Sequence, residues 1–174
     1  MARLKDNTLL ARMGFQDPDA GSTRHDRACQ FLAREEDGLL IADCVFKEFR
    51  GEHEFYSGDI EKPLTKGEGQ YKQTIGFIDV FFEGSLHPQK GKIKECDLVI
   101  EVKIHQESIG NILKQINLYA EYLPQPHRMV LVTAFKLTAI DVESLGRARV
   151  KHMLLGSRFE AFCKSLAPHD SPEL

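Results

Sequence analysis

The stretch from Cys96 to Phe135 constrains the fold more than any other part of the chain. Cys96-Asp97-Leu98-Val99-Ile100-Glu101-Val102-Lys103-Ile104 alternates apolar and polar side chains with the period of a strand. Ile109, Ile112, Leu113, Ile116 and Tyr119 or Ala120 then recur at helical spacing, and Pro124 and Pro126 follow, which predicts a helix over 108–123. Arg128 to Phe135 is an apolar run of the kind a strand shows when both its faces are covered. Strand, helix and strand in that order form a crossover, which lays the two strands parallel in one sheet with the helix on its face. The Asp97–Lys103 strand therefore belongs well inside an α/β sheet.

The rest of the chain is read around that unit. Tyr71 to Phe82 is a strong strand by composition, and Gly84 to Gly91 a turn. Residues 39–50, with Leu39, Leu40, Ile41, Val45, Phe46 and Phe49, are expected to form a strand, and the polar residues 51–70 a long hairpin loop. A short helix over 4–13 ends at Gly14, and Gln16 to Gly21 is a loop. Ser22 or Thr23 then caps a second helix that runs to about residue 35 with Ala28, Phe31 and Leu32 on one face. Residues 136–150 give no clear period, 156–166 read as a helix, and 167–174 as a frayed end. The order is α-β-β-β-α-β-α: a mixed central sheet flanked by helices, antiparallel among its early strands. The 174 residues fit one domain, with its core at about 22–136.

Composition excludes little. A hydrophobic share of 42% and a charged share of 28% are ordinary for a globular protein. No apolar run approaches the roughly 18 residues of a membrane span, and the N-terminus lacks the apolar region of a secretory signal, so a cytoplasmic protein is expected. Cys29, Cys44, Cys96 and Cys163 are far apart and read as buried free thiols, a zinc site arising only through a tertiary cluster. The net charge of −3 does not announce a nucleic-acid binder. It does not exclude one, since the distribution of charge matters more than its sum.

The chemistry lies in charges placed where apolar residues are expected. In the central strand, Leu98, Ile100, Val102 and Ile104 face one way, and Asp97, Val99, Glu101 and Lys103 the other. Glu101 and Lys103 are thus side by side, about 6.5–7 Å apart at Cα. Asp79 interrupts the apolar run Ile75-Gly76-Phe77-Ile78-Asp79-Val80-Phe81-Phe82. A buried carboxylate costs several kcal/mol unless a cation compensates it, and either Lys103 or a metal can do so. Two carboxylates supply hard oxygen ligands of the kind Mg²⁺ takes, and a bound metal can activate water against a phosphodiester.

Asp79, followed after 21 residues by Glu101-Val102-Lys103, resembles the PD-(D/E)XK superfamily of restriction-endonuclease-like nucleases, with Ile78 where the motif has proline. The resemblance implies an αβββαβ core and a metal-dependent nuclease acting on DNA with Mg²⁺ or Mn²⁺. It implies Asp79, Glu101 and the Val102 carbonyl as metal ligands and Lys103 as the catalytic lysine. Gln115-Ile116-Asn117-Leu118-Tyr119 resembles the QxxxY motif of RecB-type members, which implies that Gln115 and Tyr119 help hold the active site and DNA. Those members often carry a metal-contacting histidine in the N-terminal helix, a place His25 occupies here.

Plainer readings stand beside these. Tyr119 continues the apolar stripe of its helix and serves the core equally well. Glu35, Glu36 and Glu48 are further carboxylates, and Lys90, Lys92, Lys94 and the Lys62–Lys72 stretch are solvated charges that DNA could also meet. His105 lies near the motif. A catalytically inactive DNA-binding or protein-interaction module is the alternative function. A chain this short leaves specificity to loops, to a homodimer or to a partner subunit.

Overall fold

The structure is a computed structural model and describes residues 8–13, 19, 22–56, 58–123 and 126–165. Helices come first: α1 (Leu9–Arg12), α2 (Thr23–Leu32) and α3 (Glu35–Val45). Ser22 is the N-cap of α2, its side chain accepting from the His25 amide, as expected. Of the expected helix over 4–13, residues 4–7 lie outside the described residues, as do Gly14 and most of the loop after it.

Strands β1 (Gly51–Phe55), β2 (Asp59–Lys66), β3 (Gln73–Phe82), β4 (Gly84–Pro88), β5 (Lys94–Glu95) and β6 (Asp97–Lys103) follow. Then come α4 (Ile109–Tyr122), β7 (His127–Thr133), α5 (Ala139–Arg147), β8 (Val150–Leu154) and α6 (Ser157–Ser165). The main sheet has five strands in the order β2-β3-β6-β7-β8, and a second sheet has the order β1-β4-β5. The β2–β3 and β3–β6 pairs are antiparallel, and β6–β7 and β7–β8 are parallel. The expected crossover is thus β6-α4-β7, and the αβββαβ order appears as α2, β2, β3, β6, α4, β7. The fold is α/β, a mixed sheet with helices packed against it.

Three expectations are overturned. Residues 39–45 are helical, not a strand: α3 buries Ile41 and Ala42 and leaves Leu39 and Leu40 exposed. Gly38 lets it approach the sheet, since a Cβ there would sit 2.4 Å from the Phe82 ring. Residues 51–70 are not a loop but carry β1 and β2. Residues 84–88 are not a turn but β4, paired with β1 from Gly84↔Phe55 to Pro88↔Gly51. Their polar side chains fit strands with a wet face or at a sheet margin, where alternation is weak.

The sheet separates two apolar clusters. Leu98, Ile100 and Val102 pack with Ala28, Cys29, Phe31 and Leu32 of α2 and with Phe159 of α6. Val99 packs with Ile112, Ile116 and Tyr119 of α4 and with Leu145 of α5. β6 is buried from Leu98 to Lys103, as its place in the sheet requires. Among the described residues no helix is long and apolar enough to cross a membrane.

Candidate active site

Asp79 lies where β3 and β6 part. Their register runs Phe82↔Leu98, Phe81↔Val99, Val80↔Ile100 and is not continued by Asp79. In place of a ladder bond, the Val102 amide donates to Asp79 Oδ2 at 2.8 Å. Amide and carbonyl of one strand residue point to the same neighbour, so the Val102 carbonyl leaves β6 on the edge that Asp79 occupies. His25 Nε2, from α2, stands 3.4 Å from the same Oδ2. Asp79 Oδ1 has no hydrogen-bond partner among the described residues, and the Asp79 side chain keeps 11% of its exposure.

The Glu101–Lys103 pair lies on the α4 face. Both side chains are 2% exposed, with Lys103 Nζ 2.9 Å from Glu101 Oε1. Gln115 Nε2 donates to the same Oε1 at 2.7 Å and lies 3.0 Å from the Tyr119 hydroxyl. Tyr119 in turn donates to the Phe77 carbonyl at 2.9 Å. Phe77 is paired with Pro63 of β2, and a proline has no N–H to give, so the tyrosine supplies a donor that the ladder lacks. One relay thus runs from the β3 backbone through α4 to Glu101.

The motif residues and His25 are therefore in contact networks, but in two halves. His25 and Asp79 meet on the α2 side, and Glu101, Lys103, Gln115 and Tyr119 on the α4 side, with Val102 between. Glu36 is exposed and faces Arg34 and Arg158, Glu48 and Lys90, Lys92 and Lys94 are exposed, and the Glu35 side chain lies outside the description.

Sequence reading missed three residues. Asp19, fully buried, accepts from the Ile104 amide at 2.9 Å and the His105 amide at 3.0 Å, pinning the end of β6 just past Lys103. Nothing in its loop composition marks it. Glu107 Oε2 lies 3.8 Å from Lys103 Nζ, and its i+4 spacing from the lysine was its only signal. Cys29 lies 3.8 Å from both ring nitrogens of His25. Cys29 and Cys96 are buried as expected, whereas Cys44 is exposed and Cys163 half-buried. Their spread through the sequence does not bury all four.

The donors present fit a hard divalent ion in part. Asp79 Oδ1 and the Val102 carbonyl are oxygens on one edge, whereas Glu101 Oε1 is already held by Lys103 and Gln115.

No protein-family model matches the chain, and no curated protein matches it. Among solved structures, the MspJI restriction endonuclease in complex with a 27-mer oligonucleotide is similar at a TM-score of 0.36 and 17% identity. That likeness covers 84% of this chain and 32% of the other, so this chain spans about a third of its length. A likeness so distant assigns no activity.

Proposed function

We propose that this chain is a divalent-metal-dependent deoxyribonuclease. The observation that carries the reading is the central strand itself, with Glu101 and Lys103 buried side by side and the Val102 amide between them bonded to Asp79. Oppositely charged groups in a sheet interior are costly to maintain for stability alone, since apolar residues of similar size do as well or better. Asp79, Glu101 and the Val102 carbonyl are the proposed ligands, with His25 beside Asp79. Mg²⁺ or Mn²⁺ held there would polarise the phosphoryl group and lower the pKa of a bound water. Lys103 would offset charge developing on phosphate oxygens. Gln115 and Tyr119 are positioning residues that fix the Glu101 carboxylate. A second copy of the chain would supply the second site needed to cut both strands of a duplex, and a monomer by light scattering under cleavage conditions counts against that pairing.

The near-complete burial of Glu101 and Lys103 favours a second reading, a catalytically inactive DNA-binding or interaction module on the same fold. Cleavage of supercoiled plasmid and single-stranded DNA with Mg²⁺ or Mn²⁺ separates the two. Asp79→Asn keeps an oxygen for the Val102 amide and removes the charge. It is expected to slow cleavage at least about 100-fold, the scale of losing one group that stabilises transition-state charge. Cutting that survives Asp79→Asn overturns this site as the source of the activity, and a folded wild-type chain that cuts neither substrate supports the inactive module.

A further inference from the structure

The α2 side of the site carries a donor set that a magnesium centre does not use. His25 and Cys29 are one helical turn apart on α2 and share a face. Their exposures are 1% and 0%. Cys29 Sγ is 3.8 Å from His25 Nε2, His25 Nε2 is 3.4 Å from Asp79 Oδ2, and one donor atom from each of the three residues lies within 4.8 Å of the other two. We propose that His25, Cys29 and Asp79 form a binding site for a thiophilic divalent cation, with zinc as its representative.

Distances support the assignment. Zinc takes sulfur at about 2.3 Å and nitrogen or oxygen at about 2.0–2.2 Å in a tetrahedron. Donor atoms around such an ion are therefore about 3.3–3.6 Å apart. The sulfur–nitrogen and nitrogen–oxygen separations of the triad lie close to that range before any ion draws them in. The donor chemistry points the same way. Thiolate and imidazole select zinc-like ions, whereas Mg²⁺ takes oxygen ligands and keeps its waters. The imidazole is also oriented for the task. Nε2 is turned to Asp79 Oδ2 at 3.4 Å, so that the nitrogen and the carboxylate oxygen can share one ion. On binding, the Cys29 thiol gives its proton to solvent and the thiolate enters the metal's sphere. Three protein ligands would leave a fourth position for water.

Binding at this triad does not depend on whether the chain cuts DNA. One consequence does rest on the nuclease reading: zinc on Asp79 takes that carboxylate from the hard-ion site next to it, so zinc should inhibit cleavage.

The test uses the full chain, reduced and stripped of metal, titrated with Co²⁺. The expected result is one cobalt per chain, with a thiolate-to-cobalt charge-transfer band and the intense visible bands of tetrahedral cobalt, both bleached by Zn²⁺. Cys29→Ala should abolish the charge-transfer band and weaken zinc binding more than about 100-fold, beyond what losing a group that only orients a ligand costs. Cys44→Ser and Cys96→Ser should leave the band in place. A band that survives Cys29→Ala overturns the proposal, as does a folded wild-type chain with no band. Zinc X-ray absorption on the wild-type chain needs no substitution. Sulfur in the coordination sphere is expected, and a sphere of nitrogen and oxygen alone overturns the site even where Cys29→Ala does not fold.

Discussion

Lys103 and Glu101 make each other tolerable in the sheet interior, which gives their substitutions a distinctive pattern. Lys103→Met takes the ammonium away from the buried Glu101 carboxylate, 2.9 Å from it, and removing one member of a buried pair costs about 3–5 kcal/mol. Adding Glu101→Gln should recover most of that loss, and urea unfolding of both variants measures it. His152 is a second residue whose charge is tied to the fold. Thr133 Oγ1 donates to the Phe135 carbonyl at 2.6 Å, so at the 2.9 Å contact with His152 Nε2 the ring must be the donor. Burial pushes the His152 imidazole below its usual 6.5, so the neutral ring is favoured in the fold. Stability present above pH 6.5 is then lost as the pH falls from there through the lower folded-state pKa, because the unfolded chain takes up the proton first. His152→Gln keeps a donor without a titration, and thermal melts across this range should show a flatter acid limb. At this scale the motif strands were legible, because a charge inside an apolar alternation stands out. Asp19 was not: its partners, Ile104 and His105, are 85 and 86 residues away, and no local pattern records such a bond.

Among the elements, the crossover was legible and α3 was not. β6, α4 and β7 each bury a face or both faces with a clean period. α3 begins with charged residues and then places Leu39, Leu40 and Ile41 in a row, which imitates a strand. Its buried positions, Asp37, Gly38, Ile41, Ala42 and Phe46 just beyond its end, show helical spacing only once Gly38 counts as a contact. A test follows from that glycine. Alanine at a helix interior normally gains about 1 kcal/mol over glycine, but at Gly38 a Cβ meets the buried Phe82 ring at 2.4 Å. Gly38→Ala should therefore destabilise, by about 1–3 kcal/mol as overpacked cores do, and Phe82→Leu should suppress the loss. The missed strands β1 and β2 are rich in charged residues and each buries one side chain, Phe55 and Leu64, and β4 is five residues with a glycine and a proline at its ends. β8, Val150-Lys151-His152-Met153-Leu154, is buried fully only at Val150.

For the molecule as a whole, both faces of the main sheet draw on helices distant in sequence. Phe159 of α6, fully buried, packs in the same cluster as α2 and β6. A chain cut to 22–136 keeps the αβββαβ core but loses β8, α6 and Asp19, and it is expected to be largely unfolded by circular dichroism. A milder cut is more telling. A chain that starts at Ser22 retains each residue of the motif and loses the Asp19 carboxylate, leaving the Ile104 and His105 amides without that acceptor. Both bonds are part-buried, and a hydrogen bond to a charged group contributes about 1.5–3 kcal/mol, so this chain should melt below the full one. Amide exchange should quicken first at Ile104 and His105. Asp19 works as a latch: it belongs to no motif, yet through the Ile104 and His105 amides it fixes where the strand bearing Glu101 and Lys103 ends.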